Sequence, residues 1–195
     1  MSTARPTEQY TIRRKILKLF GSAFFVYDES GQIAGYCKQK AFKLREDIRI
    51  FTSTECTTEL VVLKARSIID FGATYDVSLP SGEIIGSFRR KGLKSTFLRD
   101  EWLVFDASGQ HLGTLAERGS VGPFIRRYVE IVAAFMPQKF DLHDASQRPV
   151  ASYRQHFNWF IYRLGVAVLA EDTELDELML LAGGCLIAAI EGRQR

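Results

Sequence analysis

Apolar and polar residues alternate along much of this chain, and one stretch near its C-terminal side breaks the pattern. Leu178 to Ile190, LMLLAGGCLIAAI, runs thirteen residues without a charge. As a helix at ~1.5 Å per residue it would be about 20 Å long, against the ~30 Å of a bilayer core. A buried core helix is the reading that fits. Thr173 can cap it, with Asp176 three residues on and Glu174 and Glu177 at the positive end. Arg193 and Arg195 suit the negative end and Gly192 is a stop, which sets the helix at about 174–191. Leu178, Leu181, Cys185, Leu186, Ile187 and Ile190 are its expected buried residues. A helix apolar on every side cannot lie on a surface, so other elements must enclose it.

The rest reads as strands. DIRIFTS, TELVVLKARS, GATYDVSL, EWLVFDA and NWFIYRLG combine β-branched and aromatic residues with alternation. FIRRYVEIVAAF fits a helical face and a strand equally, and is taken as a strand because the corresponding part of the first half is strand-like. VYDESGQIAGY at Val26 to Tyr36 recurs as VFDASGQHLGTL at Val104 to Leu115, each copy an apolar pair, an Asp-x-Ser-Gly turn and a second run. Each predicts a β-hairpin. Upstream, RRKILK at Arg13 to Lys18 matches RRKGLK at Arg89 to Lys94. A second pair, YDVSLPSGEIIGSFR from Tyr75 and FDLHDASQRPVASYR from Phe140, shares the theme at an offset of 65. Duplication into two similar halves, roughly 10–88 and 89–163, is the economical explanation.

About a dozen strands and one apolar helix leave few ways to pack. A closed sheet removes exposed edges, and its interior widens with strand number until side chains alone no longer fill it. The expected fold is therefore mainly β: a closed antiparallel barrel of about twelve strands enclosing the C-terminal helix as a plug. Ala182, Gly183, Gly184, Ala188 and Ala189 would keep that plug slim. Residues 10–195 form one domain in this scheme, after a frayed tail at 1–9.

In this order of hairpins the chain resembles the phospholipid scramblase and LURP-one-related proteins of the tubby-like superfamily. The residues that carry the resemblance are Tyr10, Ile12, Lys15, Ile16, Asp28, Gly31 and the segment Asp176 to Glu191, with Cys185 after Gly183-Gly184. It covers nearly the whole chain through diffuse motifs, and implies a twelve-stranded barrel around a hydrophobic helix. It also departs from the family. Animal scramblases carry a proline-rich arm, a cysteine cluster for palmitoylation and an acidic calcium-binding segment. The acidic stretch here, Glu171, Asp172, Glu174, Asp176 and Glu177, lacks the glycine and spacing of a calcium loop, and no metal is assigned.

Composition narrows the partners. With 46% hydrophobic and 25% charged residues and a formal charge of +3, nothing marks a nucleic-acid binder. Phe97, Trp102 and Trp159 could stack on bases, but belong more naturally to the core. Cys37, Cys56 and Cys185 show no CxxC, which fits a reducing compartment. No secretory signal is read in MSTARPTEQY, and the expected location is cytoplasmic, peripheral at a membrane. His111, His143 and His156 have no ligand spacing, and no nucleotide, hydrolase or metal motif occurs. Asp106 and His111 on one hairpin lack a nucleophile, so the expectation is a non-enzyme without cofactor.

The candidate binding residues are cations: Arg13, Arg14, Lys15 and Lys18, and Arg89, Arg90, Lys91 and Lys94. The resemblance to tubby-like domains implies phosphoinositide or other anionic headgroups as their ligand, at ~1 kcal/mol per cation near the surface. Three functions stay open: a monomeric barrel docking on anionic lipid, a scramblase that inserts Leu178 to Ile190 into the membrane with Gly184 and Ala188 as helix contacts, and a protein-interaction scaffold.

Overall fold

The computed structural model describes residues 7–14, 22–39, 47–67, 73–91, 101–118, 137–156, 161–170 and 174–191. Twelve antiparallel strands occur there: β1 (Tyr10–Arg14), β2 (Ser22–Tyr27), β3 (Ile33–Gln39), β4 (Asp47–Phe51), β5 (Glu59–Ala65), β6 (Thr74–Ser78), β7 (Ile84–Arg90), β8 (Glu101–Asp106), β9 (His111–Glu117), β10 (Lys139–Asp144), β11 (Pro149–His156) and β12 (Arg163–Val168). Each pairs with its sequence neighbour, and β12 pairs with β1 to close the ring. A helix, α1 (Glu177–Glu191), follows.

Four of the hairpins share one turn. In β2–β3 the Asp28 N–H bonds to the Gln32 carbonyl and the Gly31 N–H to the Asp28 carbonyl, and the same two bonds recur at Leu79/Glu83, Asp106/Gln110 and Asp144/Arg148. The third residue after each of these starting positions has positive φ: Gly31, Gly82 and Gly109 at 79°, 91° and 88°, and Gln147 at 65°. A register shift of the bulge type sits just before each turn. Four residues beyond the positive-φ position stands Gly35, Gly86, Gly113 or Ala151. At Gly113 a Cβ would collide with the His143 carbonyl across the ladder, so only the smallest residues fit this close approach. The turn thus recurs at four hairpins, and the line expected between 88 and 89 falls inside β7.

Inside the ring, alternate residues meet α1. Ile12, Phe24, Ile48, Leu63, Phe88, Leu142, Tyr153 and Leu164 are essentially inaccessible and pack in one core with Leu180, Leu181, Cys185 and Leu186. The helix touches β1, β2, β4, β5, β7 and β12. Gly184 lets it approach the wall, since a Cβ there would come within 2.9 Å of Ile12 and 3.2 Å of Val166. Tyr153 donates from its hydroxyl to the Leu180 carbonyl at 3.0 Å, and burial pushes its pKa well up.

Four expectations need correction. The helix starts at Glu177, not near 174, because the Asp176 side chain accepts from the Leu178 N–H at 2.7 Å and acts as the cap. Thr173, Gly192, Arg193 and Arg195 lie outside the described residues, as does FIRRYVEIVAAF. Leu181, Cys185, Leu186 and Ile187 are buried, but Leu178 and Ile190, near the two ends of the helix, are only half-buried. The strand expected in NWFIYRLG begins at Arg163 and continues past Gly165, because Leu164 and Val166 supply the inward alternation. Of the stretch 1–9 expected to be frayed, residues 1–6 lie outside the described residues, whereas Glu8 bonds to His156 and the Gln9 side chain accepts from the Val168 N–H at 2.7 Å.

Candidate functional site

The alternate connections of an up-and-down ring fall at opposite ends. The turns at Asp28, Leu79, Asp106 and Asp144 mark one end, where the Tyr10 hydroxyl also donates to Glu177 at the start of α1. Burial, and then that hydrogen bond, raise the Tyr10 pKa to about 12. Arg13 and Arg14 finish β1 and Arg89 and Arg90 finish β7, so both basic segments come to the other end, on strands six positions apart in the ring. Lys15, Lys18 and Lys94 lie outside the described residues.

Alternation then splits each segment. Arg13 and Arg89 project outward and are exposed. The Arg13 guanidinium sits 5.5 Å from the Tyr27 ring and that of Arg89 4.4 Å from Phe105. Tyr27 and Phe105 each stand immediately before the turn aspartate of their hairpin, so one cation–π arrangement occurs twice. Such contacts are worth ~0.5–1 kcal/mol at exposed sites. Among the described residues no carboxylate pairs with either arginine. Arg14 and Arg90 are half-buried, Arg90 lying 5.7 Å from the ring of the core residue Trp102. Lys91 is ion-paired to Glu101 at 2.8 Å. Phe97 and Trp159 lie outside the described residues.

Arg89 and Phe105 also line an outer-wall groove of about 310 Å³ with Arg66, Thr74, Ser87 and Ser108. Arg66 is held there by Asp76 at 2.7 Å. Asp106 belongs to its turn: its carboxylate accepts from the Ser108 hydroxyl at 2.8 Å and the Gln110 N–H at 2.7 Å, and these bonds lower its pKa. His111 lies instead beside Thr114, at 3.4 Å, and Phe105. Among the described residues no three His, Cys, Asp or Glu gather as a metal site, and no helix is long and apolar enough to cross a membrane.

Register exposes further cations that single-residue inspection misses. On the outer face Arg13 stands directly opposite Arg163, and Lys139 opposite Arg154. All four are exposed. Opposed like charges destabilise a sheet. By contrast, Arg49, opposite Lys38, is neutralised by Asp47 at 2.9 Å and by Glu59. Comparison with protein families, curated proteins and solved structures finds no match for this chain.

Proposed function

We propose that this chain is a non-enzymatic monomeric barrel that docks end-on on an anionic membrane surface at the cytoplasmic side, through outward cations at the end of the ring where β1 and β7 finish. The observation that carries it is the repeated pair Arg13 on Tyr27 and Arg89 on Phe105. An aromatic ring holds each guanidinium in place without neutralising it, which leaves the charge available to phosphate oxygens. The resemblance to phospholipid scramblase and LURP-one-related proteins, through Tyr10, Ile12 and the Asp176–Glu191 segment, supports the same ligand class. Insertion of α1 into the bilayer is the weaker alternative, since its buried leucines and isoleucines would first have to leave the core, at ~1.5–3 kcal/mol each in water.

Flotation tests the proposal. Phosphatidylcholine vesicles containing phosphatidylserine should recruit the protein at low salt, and pure phosphatidylcholine should not. Replacing Arg13→Gln and Arg89→Gln together should remove most of the recruitment while changing folding stability by about 1–2 kcal/mol at most, the sum of two exposed cation–π contacts. If the wild type stays unbound at low salt, the lipid ligand is wrong and a protein-interaction scaffold takes its place.

A further inference from the structure

Gly165 is the one glycine of β12 within its outward row. Its Cα stands opposite Arg154 on β11 and Thr11 on β1, and one outward row further along Arg163 stands opposite His156 and Arg13. The missing side chain leaves a hollow on the outer wall, and the Glu8 carboxyl lies in it: a Cβ at Gly165 would collide with all three of its terminal atoms. His156 Nε2 bonds to Glu8 Oε1 at 2.7 Å, and both side chains are largely covered, at 20% exposure each. Glu8 therefore brings an oxyanion from outside the ring onto a row of cations. Arg154 and Arg163 have no ion pair among the described residues, and each faces or neighbours another basic group. On the flank, the carboxylate of Asp141 is taken up by Arg118 at 2.5 Å.

We infer that the hollow over Gly165, walled by Arg154, Arg163 and His156, is a binding site for a phosphoryl-type oxyanion, and that Glu8 is its resident intramolecular occupant. The carboxylate is the right charge and planar size for the hollow but carries one negative charge. Glu8 bonds there to His156; a phosphoryl group offers three oxygens and up to two charges, enough to engage His156 together with the guanidinium groups of Arg154 and Arg163 that the register sets beside the hollow, and guanidinium groups bind such groups in bidentate fashion. The side chains of Glu8 and Gln9 are anchored through His156 and the Val168 N–H, so release of a short segment opens the site without disturbing the barrel. The ligand competes with Glu8, and the latch sets the apparent affinity. This site is separate from Arg89 and does not require the docking surface proposed above.

The probe is inorganic phosphate, titrated by calorimetry at low ionic strength. Wild type should bind weakly, and Glu8→Gln about fivefold more tightly, the factor expected when roughly a fifth of molecules have the latch open. Glu8→Ala should show the same direction, and thermal melting of both variants verifies folding. Arg154→Gln with Arg163→Gln should abolish phosphate binding in the Glu8→Gln background. Absent binding to both wild type and Glu8→Gln, an affinity unchanged or weakened by loss of Glu8, or binding that survives loss of both arginines would each overturn the site. Vesicles identify the source of the group: stronger recruitment of Glu8→Gln to phosphatidylserine vesicles points to a lipid headgroup, and tighter phosphate binding with unchanged recruitment points to a free phosphorylated ligand. Because Arg13 and Arg89 stay intact, a protein that floats normally but fails the phosphate test rejects this site alone.

Discussion

Cys185 and Cys37 meet where α1 faces β3, both wholly buried, and the hydrogen bond between their thiols together with burial pushes the Cys185 pKa well up. A protonated, enclosed thiol is unreactive. Cys56 differs: it lies in the β4–β5 turn region, partly exposed, with φ at 57° and its thiol directed to the Thr54 carbonyl at 3.5 Å. A water-soluble thiol reagent should therefore modify Cys56 in the native protein and reach Cys37 and Cys185 only at the rate of unfolding. Mass spectrometry of the modified peptides reads this directly; fast native labelling of Cys185 would mean that α1 leaves the barrel. Nothing in the spacing of the three cysteines indicated their different settings, because Cys37 and Cys185 are brought together by closure of the ring and not by local sequence.

The hairpin turn is where sequence and structure correspond most closely among the elements. Asp28-x-Ser30-Gly31 and Asp106-x-Ser108-Gly109 announce themselves, since Asp accepts from nearby N–H groups and Gly takes positive φ freely. The same device at Leu79 lacks the aspartate, and at Asp144 lacks the glycine, so each was visible only through the offset of the second repeat. Gln147 adopts left-handed backbone at a cost of ~1–2 kcal/mol, which glycine avoids. Gln147→Gly also gives the unfolded chain more freedom, worth ~0.4–1 kcal/mol in the opposite direction. The net expectation is a stabilisation of about 0.5 kcal/mol, read as a higher urea midpoint at unchanged slope. A lower midpoint would mean that the Gln147 side chain contributes a contact of its own. The helix was equally legible as an element, from its uncharged run, while its first residue was not: Asp176 won the cap because its carboxylate reaches the Leu178 N–H.

At the scale of the molecule, the closed ring and its plug followed from counting strands and asking what could cover an apolar helix. The charge pattern on the outside did not follow. Lys139, Arg154, Arg163 and Arg13 are separated along the chain by loops and join only through the β10–β11–β12–β1 register, whereas in the obvious runs the described pairs Arg13/Arg14 and Arg89/Arg90 are divided by alternation into exposed and half-buried residues. A barrel that binds through such an outer surface holds its membrane by screened electrostatics while α1 stays in the core. The most direct measurement is flotation with phosphatidylserine-containing vesicles, followed by a step from low to high salt. Exposed charges are screened over ~10 Å at 0.1 M salt and ~3 Å at 1 M, so bound protein should be released as soluble, folded barrel. Protein that remains with the vesicles in high salt, with α1 embedded, would contradict the account.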